Sequence, residues 1–237
     1  MDNAIYVALS KQSAAERQID MIAHNVANAN TVGYKTNSAL FRQHLIKDGY
    51  GTTAYTLDYG SKRDISQGAL ESTGNPLDLA IQGKGYFAVQ TPQGERYTRA
   101  GNFTLNEQGQ LATLDGNLVL DNGGQPIEFE QQDNKITVFA DGRIEVDGNE
   151  RAQVGVFDFT NEYALKNVSG SLLESSEKPI ALENPKIAQG MLEQSNVKPV
   201  VEITNLINTQ RSFTNTAKFV SDIYELQDTA IRTMAKD

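Results

Sequence analysis

Cysteine is absent from the 237 residues, which excludes disulfides, thiolate metal sites and thiol nucleophiles. Histidine occurs only twice, as His24 and His44, and neither has a neighbouring serine or carboxylate motif. A zinc site would need more nitrogen and sulfur donors than these, and no nucleophile elbow supports a Ser-His-Asp set. No run of about twenty apolar residues occurs, the length a helix needs to span a bilayer. The opening, MDNAIYVALSKQSAAERQID, lacks a basic n-region and an apolar h-region, so no Sec signal peptide is expected. From Val200 to the end there is neither glycine nor proline, so nothing there interrupts a helix.

Positive charge is scarce as well. The net charge of −9 argues against nucleic acid as a partner, since phosphate rewards a basic face. Residues 1–63 carry 7 Lys+Arg against 5 Asp+Glu, residues 64–198 carry 10 against 20, and residues 199–237 carry 4 against 5. The acidic surface therefore belongs to the middle of the chain, which is expected to stay solvated. The near-neutral ends are free to pack.

What those ends contain is periodicity. Ile203, Gln210, Ala217, Tyr224 and Ile231 stand seven apart, and Leu206, Phe213, Val220, Gln227 and Met234 form a second such row. Together they predict an a/d seam on one helix opening at Pro199, which suits a first helical turn. At ~1.5 Å per residue the helix would be roughly 55 Å long. The N-terminal stretch carries matching rows, Ile5, Gln12, Ile19 and Val26 beside Ala8, Ala15, Ile22 and Ala29, on a helix predicted over about Asn3–Asn28. Ile5, Ile19, Ile22 and Val26 are expected to face Ile203, Leu206, Phe213, Val220 and Tyr224. Gln12 and Gln210 and several alanines keep both seams thin. Burying an apolar side chain is worth ~1.5–3 kcal/mol, while ordering a residue costs ~1–2 kcal/mol. An isolated pair would be marginal, and further helical partners are expected.

The fold class expected is α+β: N- and C-terminal helices paired as a coiled-coil-like domain, with a central all-β domain of short antiparallel strands inserted between them. The expected division is a discontinuous helical domain (1–35 and 199–237), an arm (36–73) with a return segment (186–198), and a β domain (74–185). The arm lacks a helical period after about Lys47 and reads as an extended segment with β character, anchored by Tyr50, Tyr55 and Tyr59. In the β domain the turn dipeptides Asp115-Gly116, Asp141-Gly142 and Asp147-Gly148 separate alternating stretches, the signature of successive hairpins.

Two stretches invite a chemical reading. Gly83-Lys84-Gly85-Tyr86-Phe87-Ala88 fits the spacing of a dinucleotide loop, but a strand pattern follows where that loop needs a helix. Asp78, set in the run Leu77–Ile81, is a carboxylate expected to be buried; a tuned acid is one reading and a turn hydrogen-bond acceptor the more economical one. Neither amounts to a catalytic centre, and no cofactor or metal is expected.

Four ordered blocks resemble the flagellar rod and hook protein family. They are AHNVANANTVGYK (23–35), GNPLDLAIQGKGYFAVQ (74–90), YTRAGNFTLNEQGQLAT (97–113) and QGMLEQSNVKPVVEITNLINTQRSF (189–213). The motif positions they supply include Asn25, Asn28, Thr31, Gly33, Tyr34 and Lys35, then Asp78, Gly83, Gly85 and Phe87, then Ser195, Asn196 and Val197. His24 replaces the family's usual asparagine, and Tyr34 its commoner phenylalanine. The opening and the short arm are most similar to proximal-rod members, with distal-rod or other axial members as the alternative.

The resemblance implies a non-enzymatic subunit stacked helically around a channel, with its terminal helices inside and its β domain outside. It also implies other rod subunits as partners and passage through the flagellar type III exporter to a rod crossing the periplasm. Asn25, Asn28, Thr31 and Gly33 would end the first helix. The rivals are a secreted β-rich binding module on a helical stalk and a hydrolase using Asp78 or His24.

Overall fold

A computed structural model of the chain describes residues 2–48, 51–130 and 135–234. Among these it holds two α-helices, one near each end, and a central series of antiparallel strands. The class is α+β. The chain divides into two compact units, one made of residues 1–27, 37–64 and 198–237 and the other of residues 28–36 and 65–197.

The first unit contains α1 (Asp2–Ala27), β1 (Asn37–Asp48), β2 (Gly51–Arg63) and, at the far end of the chain, α2 (Pro199–Met234). β1 and β2 form one long antiparallel ladder from Asn37↔Arg63 to Asp48↔Gly51, with a bulge after Leu40 that takes in Tyr59. The expected irregular arm is thus mostly a regular hairpin. Tyr55 is half-buried, but Tyr59 is 70% exposed and anchors nothing; Tyr50 lies outside the described residues. One face of the ladder packs on α1: Thr56 N–H donates to the Ser10 hydroxyl (3.3 Å), and Arg17 pairs with Asp58 (3.4 Å).

α1 and α2 lie antiparallel. Asn25 near the end of α1 bonds Glu202 at the start of α2 (3.2 Å). Ala15 and Thr209 share one small cavity, and Ala8 and Thr216 line another further along. The face of α1 that is covered carries Ile5, Ala8, Ala15 and Ile22, with Gln12, Ile19 and Val26 half-buried beside them.

The face of α2 differs from the expected one. Glu202, Thr209, Thr216 and Ile223 form the covered row beside Leu206, Phe213, Val220 and Gln227, and all eight are buried or half-buried. Ile203, Gln210, Tyr224 and Ile231 are exposed, and Ala217 is half-buried. One of the two expected rows is kept and the other is shifted back by one residue, which turns the covered face by about 50° at 100° per residue. Thr216 accepts cover at little cost because its hydroxyl donates to the Ser212 carbonyl (2.9 Å).

The second unit opens with β3 (Leu70–Ser72), β4 (Leu79–Ile81), β5 (Tyr86–Thr91), β6 (Gly94–Thr98), β7 (Phe103–Leu105), β8 (Leu111–Thr113) and β9 (Leu118–Val119). It continues through β10 (Ile136–Val138), β11 (Arg143–Val146), β12 (Asn149–Gln153), β13 (Val156–Asp158), β14 (Lys166–Ser169) and β15 (Leu172–Glu174), and ends with β16 (Ile180–Ala181), β17 (Ile187–Gln189) and β18 (Met191–Glu193). The main sheet runs β14-β15-β6-β5-β9-β8-β7, and β13 joins it on β5. Strand β5 is central and carries a core on each side. Phe87 and Val89 pack with Leu79, Phe103, Leu111 and Val154, whereas Tyr86 and Ala88 pack with Tyr97, Phe157 and Phe159. Phe87 meets Phe103 edge-on at 5.2 Å, a favoured aromatic geometry. Gly85 (φ +116°) sits where a Cβ would lie 2.6 Å from Val156, so its glycine serves close packing and not a phosphate. The run from β17 to β18 returns alongside β4 and β3.

Candidate assembly interface and the buried ion network

The motif residues after α1 converge on the returning strand β18. Thr31 N–H donates to the Asn28 carbonyl (3.1 Å) and its hydroxyl to the Asn28 side chain (3.1 Å), closing the turn after the helix. Gly33 then takes φ +70°, and its N–H donates to the Glu193 carbonyl (2.8 Å). A Cβ there would stand 2.4 Å from the Ala100 nitrogen. Only glycine fits.

Two residues on, Lys35 carries the ammonium that pairs with Glu193. The Lys35 Nζ donates to Glu193 Oε1 and to the Ser66 carbonyl (2.7 Å). The other carboxylate oxygen, Oε2, accepts from Arg99 Nη1 (3.3 Å), while Arg99 Nη2 donates to the Gly83 carbonyl (2.7 Å). Gly68 N–H completes the set on Oε1 (3.0 Å). Glu193 is 0% exposed, and both cations are buried with it. Arg99 also lies over the Tyr86 ring at 5.0 Å. Below this network, Asn196 Oδ1 accepts from the Thr36 N–H and hydroxyl (2.8 Å each), and its amide donates to Ser66 (3.1 Å). Tyr34 and Val197 are buried beside it, and the Ser195 hydroxyl accepts from Val197 N–H (3.2 Å).

Both oxygens of this carboxylate are engaged, by two cations and a backbone N–H. The network ties 35, 99 and 193 into one framework. Asp78 is similar: it accepts from Thr73 (2.6 Å) and Asn75 (3.1 Å), and its carbonyl takes the Gly190 N–H (2.8 Å), a turn role. His24 and His44 are exposed. Burial first, then the bond to Glu95, pushes the Tyr97 hydroxyl's pKa upward, so it stays protonated. Among the described residues no group of three or more histidine and carboxylate side chains converges as a metal site would require.

Asn25 belongs to the first unit. Its amide donates to the Asn37 carbonyl (2.8 Å) and its Oδ1 accepts the Asn37 N–H (3.0 Å), so one side chain pairs with β1 as a strand would. Of the seam residues, Ile5 and Ile22 are buried and Ile19, Val26, Leu206, Phe213 and Val220 half-buried. Ile203, Gln210 and Tyr224 do not join them. Val200, Ile203, Ile207, Tyr224, Leu226 and Ile231 leave α2 with apolar side chains in solvent.

Comparisons with known proteins answer to this arrangement. Residues 5–35 match the family described as flagella basal body rod protein, 80–146 the flagellar hook protein FlgE/F/G D1 domain, and 188–233 the flagellar basal body rod FlgEFG protein C-terminal. The flagellar basal-body rod protein FlgF of Caulobacter vibrioides is 38% identical, the alignment covering 100% of this chain and 99% of the relative. FlgF of Mesorhizobium japonicum is 37% identical over 99% and 98%, and the rod protein FlgG of Bacillus subtilis 31% over 95% and 97%. The chain belongs to the flagellar basal-body rod protein family.

Within that family the resemblance to FlgF, expected from the opening and the short arm, holds over the full length. The family's first block is the α1 seam with Asn25, Gly33 and Lys35, and its last block holds Glu193, Asn196 and α2. Arg99 and Glu193 stand inside the motif blocks 97–113 and 189–213, where nothing local in the sequence marks them as partners. A charged residue beside the apolar Leu192 in a short strand was the one available signal.

Proposed function

We propose that this chain is a structural subunit of the flagellar basal-body rod, on the proximal-rod side, and polymerises through its terminal helices into a shaft that transmits torque around an export channel. The whole-length similarity to rod proteins carries the reading. The unpartnered apolar side chains of α2 support it, because a helix left this greasy in one copy has a use for neighbours. In the assembled state the helices of 1–35 and 199–237 act as a coiled-coil-like inner layer. Segment 36–73 with its return 186–198 forms the next layer, and the acidic β domain (74–185) faces water. Ile5, Ile19, Ile22, Val26, Leu206, Phe213, Ala217 and Val220 hold the pair together. Ile203, Gln210 and Tyr224 face other subunits. The chain works by assembly and not by catalysis, and reaches the rod through the flagellar exporter.

Ile203→Asp tests the reading. Ile203 is 46% exposed, so the variant keeps its fold. It is expected to complement a strain lacking this chain to less than a tenth of normal swimming, with no assembled rod. Normal motility would refute the proposal.

A further inference from the structure

At the open end of the first unit, α1, the hairpin and α2 part to leave a groove of about 680 Å³. Ala4, Val7 and Ala8 of α1, Ala54 of β2 and Phe219 of α2 supply its apolar lining. Among the described residues lining it, Lys11 is the charged one, and Lys47 stands opposite Thr52 at its rim. Among the described residues no carboxylate lines it.

The same unit carries a shape and charge that match. Beyond Ile223, α2 runs on past α1. From Tyr224 to Met234 only Gln227 is partly covered, and at ~1.5 Å per residue this tail is roughly 16 Å of unsupported helix. It bears Tyr224 (55% exposed), Leu226, Ile231 (63%) and Met234, together with Glu225 and Asp228. Arg232 is paired with Asp228 (2.9 Å), so the tail leans acidic.

We propose that the groove receives the α2 tail, residues 224–234, of a second copy of this chain. This rests on the rod-subunit reading and names the contact. An amphipathic helix laid in an apolar groove is a recurrent mode of recognition, and here the basic rim meets an acidic helix. Groove and tail are different surfaces, so the contact is head-to-tail. Such a contact leaves a free groove at one end and a free tail at the other, and copies add without limit unless the ring closes. A symmetric contact would stop at two.

The absence of cysteine makes the test clean. Purified full-length Thr52→Cys and Ile231→Cys chains, one bearing a mass tag, are mixed at high concentration and oxidised. The expected result is a mixed disulfide at least fivefold more abundant than either homodimer, and its loss when Phe219→Asp is added to the Thr52→Cys chain. Leu57→Cys, on the outward face of the hairpin, replaces Thr52→Cys as the control. Equal pairing of Ile231→Cys with Leu57→Cys and with Thr52→Cys, or homodimers in excess, would overturn the inference. If that happens while the native chain still supports swimming and Ile203→Asp does not, the rod reading stands and only the contact is wrong.

Discussion

Glu193 answers two cations from a fully buried position, and truncating it separates two kinds of stabilisation. A buried ion network is weak evidence of net stability, but removing one partner strands the others at a cost of roughly 3–5 kcal/mol. Glu193→Ala removes the carboxylate that pairs with both Lys35 and Arg99. It is expected to lower the unfolding free energy of the β unit, read from urea titration, by that amount, while Glu193→Gln, which keeps hydrogen bonding, loses less. Equal midpoints for the wild-type chain and Glu193→Ala would show that the network contributes nothing. Gly33→Ala tests the backbone side of the same junction. A positive φ costs a non-glycine residue ~1–3 kcal/mol, and the clash with the Ala100 nitrogen adds to it, since backbone cannot swing away. Thermal unfolding of the variant should come at clearly lower temperature than that of the wild-type chain.

The motif positions Gly33, Tyr34 and Lys35 were legible as residues but not as partners. Lys35 and Glu193 are 158 residues apart and Arg99 and Glu193 are 94 apart. No local periodicity carries a pairing of that span.

Among the elements, α1 and α2 were read from their spacing, since a run without glycine or proline and with apolar residues every three or four positions has one good conformation. The face was harder. Counting apolar side chains favoured Ile203, Ala217, Tyr224 and Ile231, while the covered row contains Thr209 and Thr216. Hydrophobicity chooses which residues want cover, but in a thin seam side-chain size decides how near two helices come. Ala15→Asp tests the covered face: a charge at this buried position is expected to lower the helical circular dichroism of the free chain, and an unchanged spectrum would mean that this face of α1 is not covered. The hairpin was legible only as extended chain, because its outward face, with Leu40, Ile46 and Leu57, is nearly as apolar as the covered one and the two-residue alternation is blurred.

For the molecule as a whole, charge and periodicity divide the labour. The acidic middle became a β unit with its own two-sided core, and the near-neutral ends became a helical unit that leaves apolar surface uncovered. That contrast predicts where stability is held locally and where it is supplied by neighbours. Backbone hydrogen bonds of an unsupported helix exchange quickly, whereas those of a buried strand exchange near the limit set by global unfolding. Hydrogen exchange read by mass spectrometry, on the free chain and on isolated rods, is the most direct measurement. In the free chain, residues 224–234 are expected to exchange within seconds while β5 and β6 stay protected for hours, and in rods the same α2 peptides should become protected as well. Equal exchange of the α2 tail in both states would contradict assembly through the terminal helices.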